Sequence, residues 1–192
     1  MKTDPNGRPT LITDRLRLDS FEMEDCPSVA ALAGDKRIYD MTLLIPHPYE
    51  LRHAEAWIGT HAGQWERFRE EWSLNFAIRS RAGELMGAIG LGGRAAHKRA
   101  EMGYWLGAPF WGHGYMTEAA RAVTAFAHGE LGVNRLEAGV FDGNDASMSV
   151  LRKVGFVEEG VLRQRFWKNG RFVDERMFAR FRGVELSSSV AR

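Results

Sequence analysis

The sequence predicts a single-domain mixed α/β fold, and three observations predict it. Segments with strand-like alternation and segments with three- and four-residue helical spacing succeed one another along 192 residues. One clear strand–helix–strand unit lies in the middle of the chain. Turn signals at Ser80 to Gly83 and at Asn169-Gly170 mark two hairpins around it. The order reads strand, two helices, three strands, helix, strand, helix, two strands. That gives one mixed sheet of about seven strands flanked by about four helices.

Each element has its own reason. Residues 1–9, with two prolines and a glycine, read as a loose tail. Thr13 to Phe21 carries Leu16, Leu18 and Phe21 and reads as a first strand. Glu24 to Leu32 is a short helix stopped by Gly34. Residues 41–49, apolar but broken by Pro46 and Pro48, are a loop. Leu51, Ala54, Trp57, Ile58, His61, Trp65 and Phe68 recur at helical spacing and predict an amphipathic helix over about 50 to 68. Trp72 to Arg79 and Glu84 to Leu91 are hairpin strands, and Arg94 to Arg99 is a basic loop. Glu101 to Gly107 is a strand, Pro109 to Gly114 a loop, and Tyr115 to Leu131 a helix. Arg135 to Phe141 is a strand. Asp145 to Val154 is a helix capped by Asn144 or Asp145 and stopped by Gly155. Val157 to Trp167 and Phe172 to Arg182 form the last hairpin.

Composition excludes several classes. Lys plus Arg number 26 and Asp plus Glu 25, so a strongly basic nucleic-acid binder is not expected. The one cysteine, Cys26, rules out an intrachain disulfide and suits a reducing compartment. The N-terminus lacks an apolar signal region and no apolar run reaches membrane-span length, so a cytoplasmic location is the expectation. The six histidines show no metal-binding spacing, so no metal is expected.

Glycine is the unusual count. Of 21, eight fall between Gly87 and Gly114. Gly112 and Gly114 lie between an apolar strand and a helix start, where free backbone N–H groups and the positive helix end converge. That is an anion site suited to phosphate or pyrophosphate, to which His113 and Thr117 add polar groups. The plainer reading is that these glycines only serve the turn. Alternation puts Glu101, Gly103, Trp105 and Gly107 on one strand face, a ligand-facing surface beside the loop. A Walker loop is absent, and a dinucleotide fingerprint fails at Thr117, which leaves a dinucleotide enzyme as a weaker rival.

The stretch EMGYWLGAPFWGHGYMTEA, followed by NDASMSVLRKVGF, resembles the GNAT superfamily of N-acetyltransferases, and within it the Rim-type ribosomal-protein N-terminal acetyltransferases. TDRLRLDSFEMED and VLRQRFWKNGRFVDERMFARF extend the resemblance over roughly residues 10–182. It implies a twisted mixed sheet, an acetyltransferase domain over 10–183 and a frayed tail over 184–192. It also implies acetyl-CoA as acetyl donor and a primary amine as acceptor, on a protein N-terminus or a small molecule. A homodimer is compatible; nucleic acid and membrane are not expected partners. The family's pyrophosphate motif falls on Pro109 to Gly114, with proline in place of the first Gln or Arg. The resemblance thus assigns Trp111, Gly112, His113, Gly114, Tyr115, Met116 and Thr117 to the cofactor loop. It sets the backbone of Trp105 and Leu106 beside the pantetheine arm, and gives Asn144 a cofactor contact. Where many members carry a tyrosine acid, this chain has Leu151; Ser147 holds the position proposed for that role in the Rim-type branch, although a first-turn serine also caps a helix. Glu101 is the candidate base for the amine, against the reading of a strand-edge acid paired with Arg99. The missing tyrosine motivates an alternative, a non-catalytic acyl-CoA-binding module.

Overall fold

Strand-forming segments assemble into a nine-stranded sheet of order β1-β2-β3-β4-β5-β6-β7-β9-β8, in a computed structural model that describes residues 2–3, 7–61 and 71–183. The strands are β1 (Lys2–Thr3), β2 (Pro9–Ile12), β3 (Leu16–Asp19), β4 (Glu71–Ser80), β5 (Leu85–Arg94), β6 (Arg99–Leu106), β7 (Arg135–Phe141), β8 (Val157–Lys168) and β9 (Arg171–Phe181). The helices are α1 (Cys26–Ala33), α2 (Lys36–Asp40), α3 (Leu51–Gly59), α4 (Tyr115–Gly129) and α5 (Asp145–Val154). Every pairing is antiparallel except β6 with β7, the pair joined through α4. A parallel pair needs a long crossover, and α4 supplies it.

The observed bounds of β7 and α5 match those read from the sequence. Gly155 stops α5 at φ 89°, and Asn169 and Gly170 turn the last hairpin at φ 51° and 73°. Three elements were not anticipated. Lys2–Thr3 pairs with Pro9–Thr10, and β2 runs to Ile12, so strand structure precedes the expected first strand. The five-residue α2 is nucleated by Asp35, whose carboxylate accepts from the Arg37 amide at 2.9 Å. These segments are too short for periodicity to reveal. The helix expected to reach residue 68 is seen as α3 to Gly59; 62–70 and the expected 184–192 tail lie outside the described residues.

The sheet buries both faces. On one, Leu74, Ile89, Met102, Leu136 and Phe178 pack with Met116, Ala119, Val123 and Phe126 of α4 and with Met148, Leu151 and Val154 of α5. On the other, Ala77, Leu85 and Ala88 pack with Phe21, with Cys26 and Val29 of α1, and with Ala54 and Ile58 of α3. Each fully buried large aliphatic contributes about 1.5–3 kcal/mol. Arg79 is held by Asp19 at 2.8 Å and by Asp25 at 2.7 Å, which ties β4 to β3 and to the start of α1.

Half of the glycine cluster serves this packing. A Cβ on Gly87 would press on the Leu106 backbone, one on Gly90 on the Asn75 side chain, and one on Gly93 on the Trp72 ring. Gly107, expected to clear a ligand-facing surface, is instead filled by Leu32, 2.7 Å from where its Cβ would be. Gly103 does face open space, with nothing within 4 Å of that position.

Candidate active site

β6 and β7 pair only at Arg99 with Arg135, Ala100 with Leu136 and Glu101 with Glu137. β6 continues to Leu106, whereas β7 stays paired with β9 up to Phe141, so the two strands part as a fork. Gly107 N–H bonds the Met86 carbonyl at 2.8 Å. Alternation then turns the backbone groups of Trp105 toward β5 and those of Tyr104 and Leu106 into the fork. Buried backbone groups need partners, and the Leu106 carbonyl takes one from the Trp111 indole N–H at 2.6 Å. Trp111 is thereby anchored at the fork mouth, with Arg37 over its ring at 5.0 Å. The Trp105 side chain packs on the α1–α3 side.

The loop from Gly107 to Gly114 delivers the start of α4 to the same place. Gly112 and Gly114 hold φ of 80° and 78°, a region costly to other residues. Gly114 is the N-cap and offers no side chain, so the amides of Tyr115, Met116 and Thr117 lack a capping partner. Tyr115 stacks with His113 at 5.8 Å, Met116 is buried in the core, and Thr117 is 9% exposed.

Arg15, on the turn between β2 and β3, was not singled out in the sequence. It donates to the His113 carbonyl at 2.9 Å and to Glu118 at 2.7 Å, and covers the Tyr115 ring at 4.6 Å. Glu118 also accepts from the Thr13 hydroxyl at 2.6 Å and the Arg15 amide at 2.9 Å. Burial raises the Glu118 pKa, but these bonds outweigh it and hold the carboxyl below its usual range. An open cavity of about 700 Å³ lies here, lined among others by Arg15, Gly114, Thr117, Arg121 and Lys153. Arg152 is engaged elsewhere, with Glu158 at 3.0 Å and over the Phe178 ring.

At the start of α5 the Asn144 side-chain oxygen accepts from Ser147 N–H at 3.1 Å. The Ser147 hydroxyl meets Tyr104 Oη at 2.9 Å. Burial pushes the Tyr104 phenol up to about 12, against the lowering effect of its bond to Ser147. Tyr104 gave no sequence signal, because its alternation reads as core. Leu151 is fully buried in that core, so it does not face the site.

Glu101 is exposed on β6, on the opposite face from Tyr104. Arg99, its expected partner, lies 3.5 Å from Glu137 instead, and Arg135 also binds Glu137 at 2.5 Å. Among the described residues Glu101 has no ion pair, and no group of metal-ligating side chains occurs.

A fork of two parallel strands facing a bare helix N-terminus is an arrangement suited to an anionic ligand. The chain matches the acetyltransferase (GNAT) domain over residues 15–157. It belongs to the GNAT acetyltransferase family. It is similar to the uncharacterized N-acetyltransferase YoaA of Bacillus subtilis (strain 168), with 32% identity over 176 residues, 89% of this chain and 96% of that one. The L-amino acid N-acetyltransferase AaaT of Escherichia coli (strain K12) is 24% identical over 162 residues, covering 83% of this chain and 93% of that one. The structure of RimL, a ribosomal alpha-N-protein acetyltransferase, in complex with coenzyme A has a TM-score of 0.82 at 20% identity, covering 90% of this chain and 98% of that one.

Proposed function

We propose that this acetyltransferase moves the acetyl group of acetyl-CoA directly onto a primary amine, an α-amine first of all. The observation that carries this is the β6–β7 fork closed by the uncapped start of α4. The residues fit the donor. Gly112, His113, Gly114 and the amides of Tyr115, Met116 and Thr117 would hold the pyrophosphate. Lys153, Arg121 and Arg15 supply cations at the adjoining cavity. The fork-facing edge of Leu106, with Trp105 and Trp111 beside it, and the amino group of Asn144 would line the pantetheine arm.

Acetyl-CoA supplies a thioester carbonyl open to attack by an amine. Glu101 takes the proton of the amine, directly or through water. The N–H of Leu106 offers the carbonyl oxygen a hydrogen bond. Ser147 gives a proton to the leaving sulfur. The reading of a non-catalytic module rested on Leu151; Tyr104 brings a phenol to Ser147 from another element, and that motive falls away. The α-amine acceptor is supported by the names of two relatives, one acting on L-amino acids and one on a protein N-terminus. No membrane-spanning helix occurs among the described residues, and a cytoplasmic location suits the donor.

Calorimetry with acetyl-CoA tests the donor, and thiol release with L-amino acids and N-terminal peptides tests the acceptor. Binding at tens of micromolar is expected, weakened about tenfold by Gly114→Ala through backbone strain at φ 78°. No heat with the wild-type chain would overturn the reading.

A further inference from the structure

The β9 carboxylate of Glu175 has no part in the chemistry above. Glu175 pairs with Phe141 of β7. Alternation sets it on the sheet face that carries Glu101, Gly103, Glu137 and Gly139. Its carboxylate leans over Gly139, where a Cβ would collide with Oε1 and stand 2.8 Å from Cδ. Gly139 lies beyond the last β6–β7 pair, in the open part of the fork. On the β6 side, Gly103 faces open space. Gly103 thus leaves room beside Glu101 on one strand, and the Glu175 carboxylate takes the place that a side chain at Gly139 would occupy on the other. The Glu175 side chain is 13% exposed, and its one ion-pair partner among the described residues, Arg165 Nε, stands 3.7 Å from Oε2. That exceeds hydrogen-bond reach, and among the described residues no hydrogen bond holds this carboxylate.

We propose that Glu175 receives the ammonium group of the acetyl acceptor and shares with Glu101 the task of taking its proton. The proposal rests on the amine-acetylation reading and deepens it: the acceptor enters as a compact cation on the α1–α3 face of the sheet. An N–H bond of the ammonium breaks and its proton passes to a Glu175 oxygen. The freed lone pair attacks the thioester carbon, and the C–S bond breaks. Of the two protons that nitrogen loses, one reaches sulfur through Ser147 and the other leaves Glu175 for water.

The electrostatics support this role. Burial and the charge of Glu101 raise the Glu175 pKa, and Arg165 of β8 opposes them. The other acids on this face are each held by cations: Glu137 of β7 by Arg135 and Arg99, Glu71 of β4 by Arg94, and Asp19 of β3 by Arg79 and Arg17. A raised carboxylate is the stronger base near neutral pH. It acts while ionised, so activity falls as pH drops through its raised value.

The test uses the full chain with Glu175→Gln and Glu101→Gln. Turnover is followed by thiol release with acetyl-CoA and a panel of L-amino acids and N-terminal peptides. The Glu175 carboxyl is titrated by carbon-detected NMR with and without ethylammonium. Glu175→Gln should lower kcat/KM for the amine about tenfold or more and leave acetyl-CoA affinity within about twofold. Glu101→Gln should move the Glu175 midpoint, and the acidic limb of kcat/KM, to lower pH; ethylammonium should lower the midpoint too. A merely structural glutamate would leave kcat/KM at the wild-type value and its midpoint unmoved by ethylammonium. Wild-type kcat/KM in Glu175→Gln, or a midpoint indifferent to ethylammonium, would overturn the proposal. Failure of the acetylation reading shows separately, as absent acetyl-CoA binding, and the NMR arm still decides whether Glu175 receives an ammonium.

Discussion

The Tyr104 hydroxyl lies 2.9 Å from Ser147 Oγ and 3.3 Å from the Ser147 carbonyl oxygen. β6 supplies the first residue and α5 the second, so this contact joins the two elements that border the fork. The phenol fixes the direction of the serine hydroxyl, which is itself tied to Asn144 through its amide.

Ser147→Ala should therefore lower kcat about a hundredfold with acetyl-CoA affinity retained. Tyr104→Phe should lower kcat by less, since the serine keeps its proton but loses its orientation. Groups that act as one unit are not additive, so the double variant should match Ser147→Ala. Single-turnover kinetics check this; independent, multiplying losses would separate the two residues.

Glu118 holds the β2–β3 turn against α4 through Thr13 and Arg15. Hydrogen bonds to a charged partner contribute about 1.5–3 kcal/mol, so Glu118→Gln should cost about that much in urea unfolding. The folded carboxyl sits below its usual range. Its stabilisation is present above the usual carboxylate pKa and lost as pH falls through the lowered value. The acid side of the stability curve should thus flatten in Glu118→Gln. Arg15 would also release the His113 carbonyl, and acetyl-CoA binding should weaken in calorimetry.

His61 is 6% exposed between Phe21 and Trp57, with both ring nitrogens lacking a partner among the described residues. Burial, aided by Arg8, lowers its pKa from 6.5 to about 4. The unfolded chain then binds the proton first. Stability from this site is complete above pH 6.5 and declines as pH falls toward about 4, by about 1.4 kcal/mol per pH unit. His61→Phe should remove that slope from urea midpoints measured between those pH values. An unchanged slope would place the proton uptake elsewhere.

Much of the fold was legible because long periodic segments and turn residues act locally. Val123 and Phe126 mark one face of α4, and Asn169-Gly170 closes its hairpin whatever surrounds it. β2 and α2 were not legible, since four or five residues carry too little periodicity. In the site, Gly112 and Gly114 were visible because a bare turn before a helix is a local feature. Gly107 and Gly87 looked alike in sequence, yet one is filled by Leu32 and the other by the Leu106 backbone. Those neighbours are distant in the chain, and no local pattern announces them.

The sequence by itself determined the order of the longer strands and helices, the bare glycine turn before α4 and the resemblance to acetyltransferases. Each depends on residues near one another along the chain. Only the tertiary structure decided where β6 and β7 part, that Arg99 serves Glu137 rather than Glu101, and that Tyr104 meets Ser147 across 43 positions. It also brought Glu175 of the last strand over Gly139. Those relationships depend on strand pairing and side-chain packing between distant segments, and they exist only once the whole sheet has closed.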